Sequence, residues 1–189
     1  MTTHRLERRR LVWRGRLAVA GLLFALASCK SDVAQNAASL AEAPPSHVEL
    51  RVKTSAGQTH RFSTELAVTE WEQQRGLSGR TSLADNAAML FPFPYPKMAS
   101  FWMKETLVPL DLLFIRSDGT VAEILPGEPE NLQPLAANEP VVAVLEIRQG
   151  RAATLGIAAG DAVEWGNCAD ADAPVDVWRA DRLCPSSAY

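Results

Sequence analysis

The chain has 189 residues and a formal net charge of −3, with three histidines and three cysteines. Six of its 19 Lys and Arg, but only one of its 22 acids, lie in residues 1–28, so the remainder holds 13 basic and 21 acidic residues, net −8. Phosphates would repel such a chain, and no basic stripe with interleaved aromatics compensates, which argues against nucleic acid as a partner. Scarce His and Cys argue against a zinc centre, and no phosphate loop, dinucleotide fingerprint, HExxH or GxSxG is present; the sequence implies no cofactor and no metal.

Arg8, Arg9, Arg10, Arg14 and Arg16 precede a short apolar run, Leu17 to Ala27. Basic residues followed by a core too short to span a bilayer read as an export signal over residues 1–28. The four residues Leu26-Ala27-Ser28-Cys29 resemble the lipobox of bacterial lipoproteins. The resemblance implies cleavage before Cys29, a lipid on its thiol and attachment to a membrane at the periplasmic face of the cell envelope. Lys30, in place of the aspartate of inner-membrane retention, leans toward the outer membrane. An ordinary cleaved signal with an incidental cysteine, or an uncleaved anchor, are the alternatives. Residues 29–47 lack periodicity and contain Pro44-Pro45, the composition of a flexible tether.

A single domain is expected over residues 48–166, with a polar tail over 167–189. Val48 to Lys53 alternates as a half-exposed strand, with Val48, Leu50 and Val52 inward. Gly57 turns the chain, and Thr59 to Phe62 pairs back. Thr69 with Glu72 three residues on resembles a capping box opening a short helix that Gly76 ends in a left-handed conformation. Ala88 to Phe91 and Ser100 to Met103 read as strands separated by Pro92, Pro94 and Pro96. Leu110 to Arg116 and Thr120 to Leu125 flank the hairpin signal Ser117-Asp118-Gly119. After the proline-rich loop from Pro126 to Pro140, Val141 to Arg148 is a strand, Gly150 to Leu155 a helical turn ending at Gly156, and Val163 to Trp165 a last strand. With no βαβ rhythm, the expected fold is mainly β: a compact single-domain sandwich or barrel-like structure with two short helices. Cys168 and Cys184 are expected to pair in an oxidising compartment, closing a loop of roughly 15 residues. Asp170, Asp172 and Asp176 lack EF-hand spacing and read as a solvated acidic tail.

Several segments together resemble the DUF192 family, also labelled UPF0127, whose function is uncharacterised. They are Gln74-Arg75-Gly76-Leu77, Ala88-Met89-Leu90-Phe91, the long run Ser100-Phe101-Trp102-Met103-Lys104-Glu105-Thr106-Leu107-Val108-Pro109-Leu110-Asp111, Val144-Leu145-Glu146, and Gly156 to Asp161. They fall in the family's order between Val48 and Gly166. The resemblance implies a small, mainly β, sandwich-like fold and no reaction. Glu105 stands where the family commonly has Asn.

In an extended segment, Trp102, Lys104 and Thr106 share a face and supply apolar area, charge and a directional hydroxyl. With Arg75 nearby and Asp111 orienting Lys104, they form a candidate site for a small polar or anionic ligand or an envelope peptide. The competing reading is that Lys104 and Asp111 form a structural ion pair, with Arg75 or Arg80 as further partners for Asp111. Glu146 interrupts the apolar stripe Val142, Val144, Glu146, and Glu123 also lies in an apolar strand. Two of Asp111, Glu123 and Glu146 facing one cleft would suit a cofactor-independent hydrolase. A third reading is a structural or assembly module of the envelope, in which the polar motif only specifies the fold.

Overall fold

The computed structural model describes residues 46–168 and 180–184. The signal segment, Cys29, the tether up to residue 45, and Asp170, Asp172 and Asp176 lie outside the described residues. Strand β1 (His47–Lys53) pairs antiparallel with β2 (Thr59–Leu66). Alternation gives β1 its two faces: Leu50 and Val52 are buried, while Arg51 lies opposite Arg61 on the other face. His47 already pairs with Glu65, so the sheet claims the last residue assigned to the tether.

Helix α1 (Glu70–Arg75) follows, and both hydrogen bonds of the Thr69–Glu72 capping box are formed. Beyond it, β3 (Ala87–Lys97) pairs parallel with β2. The chain therefore contains one β–α–β crossover, against the sequence expectation of none. A six-residue helix is too short for its periodicity to stand out. A second correction concerns Pro92, Pro94 and Pro96, which lie inside β3 and not between two strands. Proline fits extended φ but donates no hydrogen bond, and the pairing of β3 with β8 (Val141–Arg148) loses register between Pro92 and Lys97.

Two-residue strands β4 (Ser100–Phe101) and β7 (Leu135–Ala136) pair with each other. β5 (Leu110–Ile115) lies between β6 (Val121–Gly127) and β8, and β9 (Ala162–Trp165) pairs with β1. The main sheet has seven strands in the order β6-β5-β8-β3-β2-β1-β9. It curls until its ends meet: the amides of Val121 and Val163 donate to Asp161 and Gly119 carbonyls at 2.9 and 2.7 Å. The second helix, α2 (Arg151–Leu155), ends at Gly156 in the left-handed conformation. The domain is thus mainly β and sandwich-like, with two short helices.

Because side chains alternate across a strand, the curled sheet supports two cores. The inner one packs Leu50, Phe62, Leu90, Leu113, Leu145 and Val163. The outer one sets Phe91, Leu110, Leu112, Phe114 and Val144 under Leu77, Ala99, Met103, Val108 and Ala137. Val141, which strict alternation would place on the face of Ala143, packs instead in the outer core, next to the register shift with β3. Asp161 is buried and fully used by the final turn, accepting from the amides of Ser55 at 2.8 Å and Ala158 at 2.7 Å. A disulfide joins Cys168 to Cys184.

Candidate functional site

A cleft of about 510 Å³ opens between the end of α1 and the segment from Lys97 to Thr106, over the outer face of β3 and β8. Arg75 reaches it from the last turn of α1, its guanidinium 5.2 Å from the Trp71 ring. Gly76 ends the helix at φ +46° and ψ −131°. This differs from the expected left-handed helical well and suits glycine alone. A Cβ there would also lie 3.3 Å from the Phe91 ring.

The second wall is not the extended segment that alternation suggests. The strand stops at Phe101, and residues 104–105 form a turn with Glu105 at φ +57°. The hydroxyls of Ser78 and Thr106 both donate to the Lys104 carbonyl, at 3.3 and 3.4 Å, and the Gly79 amide donates to the Glu105 carbonyl at 2.8 Å. The turn is therefore tied to the loop after α1. Trp102 is 59% exposed on the rim, and the Lys104 ammonium lies 5.7 Å from its ring and 4.0 Å from a Glu105 carboxylate oxygen. Thr106 lines the cleft, but its hydroxyl is engaged by the turn and is not a free recognition group.

Lys97 is a rim cation that sequence reasoning missed. Its ammonium lies 3.8 Å from the Phe93 ring centroid, and both residues line the cleft. The signal was the alternation of Phe93 and Lys97 with the prolines, which brings the two to one side only once the segment is a strand. Glu70 also borders the cleft.

At its floor is Glu146. Register places it between Met89 of β3 and Leu112 of β5, both buried and apolar. Glu146 is only 5% exposed and makes no hydrogen bond or ion pair with any described residue. Burial in this setting pushes its carboxyl up to about 8, so it is protonated at neutral pH.

The cleft thus gathers Arg75, Trp102, Lys104, Thr106 and Glu146, and it excludes the other two acids. Asp111 lies opposite Ile147, one residue out of phase with the Leu112–Glu146 pair, and so faces the other side of the sheet. It does not pair with Lys104, Arg75 or Arg80. Its carboxylate accepts from the Ala152 amide at 3.0 Å, taking the capping role that Gly150 has no side chain to perform for α2. Arg80 binds Glu65 through two hydrogen bonds of 2.6 Å, which hold that carboxyl below its usual range. Glu123, on β6, accepts from the Asn138 backbone and side chain, each at 2.8 Å. Of Asp111, Glu123 and Glu146, only Glu146 lines the cleft, so no two of these three acids face one another there. Among the described residues no group of three or more His, Cys, Asp or Glu is placed to hold a metal.

Residues 51–165 match DUF192, a family described as uncharacterized ACR. The chain belongs to the DUF192 family. It is similar to a crystal structure from Sinorhizobium meliloti 1021, described as a "putative transcription regulator", with 37% identity and a TM-score of 0.63 over 66% of this chain and 97% of that one. It is also similar to a protein of unknown function from Novosphingobium aromaticivorans DSM 12444, with 43% identity and a TM-score of 0.61 over 66% and 94%. No curated protein matches. In this DUF192 domain, Glu105 holds a positive φ of 57°. Asn tolerates the left-handed region better than Glu, so the backbone at this position favours Asn whatever else the residue does.

Proposed function

We propose that this DUF192 domain binds a small anionic ligand in the cleft, and that a lipid on Cys29 holds it at the bacterial envelope. The observation that carries the binding reading is the convergence of Arg75, Lys97 and Lys104 on one concavity. Neither Arg75 nor Lys97 forms an ion pair with a described acid, and Lys104 reaches only Glu105, at a long 4.0 Å. Cations gathered in this way raise the local anion concentration and supply charge-assisted hydrogen bonds. The exposed Trp102 and Met98 on the rim favour a ligand with an apolar part, such as an acyl-bearing acid or a peptide end. The relative's description as a regulator is not carried over, because the net charge of −8 beyond residue 28 disfavours nucleic acid.

Calorimetric titration with short carboxylates tests the site. Replacing both Arg75 and Lys104 by Ala is expected to weaken binding at least about tenfold, or about 1.4 kcal/mol. Equal affinity in that double variant would remove the cleft from the account.

The anchor has a separate test. Mass spectrometry of membrane extracts should find a chain starting at acylated Cys29, and Cys29→Ser should shift the protein to the soluble fraction. A Cys29→Ser chain that is cleaved yet equally membrane-bound would exclude the lipid.

A further inference from the structure

The anionic-ligand reading leaves Glu146 unused, and this residue is the least expected one in the cleft. Its cross-strand neighbours are Met89 and Leu112, and the described chain offers it neither a donor nor a counter-charge. The charged groups on the elements around it are Glu70 and Arg75 on α1, Lys97 at the end of β3 and Lys104 in the turn, and none of them bonds to it. A buried acid without a partner is destabilising, and such groups mark places where a partner arrives from outside. Phe91, Phe93, Phe101 and Trp102 line the same cleft. Aromatic faces beside a carboxyl group form the arrangement that attracts an ammonium ion.

We infer that the cleft takes a small zwitterion, its ammonium group entering to meet Glu146 and its carboxylate held at the rim by Arg75, Lys97 and Lys104. The inference rests on the anionic-site reading and adds the ligand's second charge. The two ends of the cleft have opposite preferences: Arg75, Lys97 and Lys104 outnumber Glu70 at the rim, and the unpartnered Glu146 lies at the floor, where Phe91 and Phe101 also line the cleft. An amino acid or an ω-amino acid satisfies both. At about 510 Å³ the space is within the range of small-molecule sites. When the ammonium arrives, Glu146 gives its proton to solvent and the resulting carboxylate accepts from the ligand's N–H, so charge balances within the site.

The test is calorimetry on the full chain with glycine, 4-aminobutyrate and 6-aminohexanoate, each beside the matched carboxylate lacking the amine. At pH 7, at least one amino acid is expected to bind tenfold or more tightly than its partner. It should release about one proton, read from buffers of different ionisation enthalpy. Glu146→Gln should abolish both the preference and the proton release while carboxylate binding persists. Binding of carboxylates alone, or a preference that survives Glu146→Gln, would overturn the zwitterion and leave the anionic site standing. No binding by either series would overturn both.

Discussion

Glu146→Gln is expected to stabilise the fold, by an amount that grows with pH. Burial moves the folded-state carboxyl from an ordinary value of 4.5 to about 8. Below pH 4.5 the group is protonated in both states and carries no pH-linked penalty. Between pH 4.5 and 8 only the unfolded chain releases its proton, so the stability of the natural protein falls by about 1.4 kcal/mol per pH unit. Above pH 8 both states are ionised and the loss reaches its plateau. Gln does not titrate, so the two proteins should have similar urea midpoints near pH 5 and diverge through pH 8. The full gap is on the order of 5 kcal/mol, less whatever water reaches the carboxyl through the cleft. Glu65, Glu72, Asp118 and Glu139 have the opposite sign. They are held below their usual range by Arg80, Thr69, Thr120 and Arg116 respectively, and lose stability as pH falls. They are the same in both proteins and cancel in the difference. Parallel pH profiles from 5 to 8 would mean that Glu146 ionises freely in the folded state. Its position between Met89 and Leu112 is thus one the fold alone would fill better with an apolar or uncharged side chain.

The parts of this domain that were legible in the sequence are those decided within a few residues. The Thr69–Glu72 box, the alternation of β1, and the Asp118-Gly119 turn each depend on neighbours in the chain. In that turn, Asp118 accepts from the Thr120 amide and hydroxyl at 2.9 and 2.7 Å. Glu146 was visible as a break in an apolar stripe, but its place under the cleft follows from the registers of β3 and β5, which no local pattern encodes. Asp111 was assigned to Lys104 because they are close in sequence, whereas its partner, the Ala152 amide, is 41 residues away. Trp102, Lys104 and Thr106 do line one cleft, but not as the face of an extended strand. One residue with positive φ, Glu105, breaks a two-residue alternation at once. Lys97 was hidden because prolines read as punctuation, although every second residue in Pro92-Phe93-Pro94-Tyr95-Pro96-Lys97 is free to project from an extended strand.

Gly166→Ala is expected to cost about 3 kcal/mol, through the segment that the disulfide holds. Gly166 has φ +79°, where a residue bearing a Cβ loses roughly 1–2 kcal/mol. The added Cβ would also lie 2.1 Å from the Asp181 carbonyl oxygen and 3.0 Å from the Arg182 Cα, both backbone atoms that cannot rotate away. Overpacking of this kind costs roughly 1–3 kcal/mol. The segment is tied to the end of β9 by paired backbone bonds between Trp165 and Leu183, at 3.1 and 3.0 Å, and by the Trp165 indole N–H to the Ala180 carbonyl at 3.0 Å. The Cys168–Cys184 disulfide spans a sequence separation of 16. Replacing both cysteines by Ser removes a loop constraint worth about 3 kcal/mol. These two losses should not add. With the disulfide present, the segment cannot leave and the clash is felt in full. Without it, residues 180–184 can detach from β9, and Gly166→Ala retains mainly its backbone cost. Urea unfolding of the four proteins in the cycle should give a combined loss below the sum of the single losses by at least about 1 kcal/mol. Additive losses would show that the contact of Gly166 with Asp181 and Arg182 survives reduction, and that β9 holds this segment without help from the cysteines.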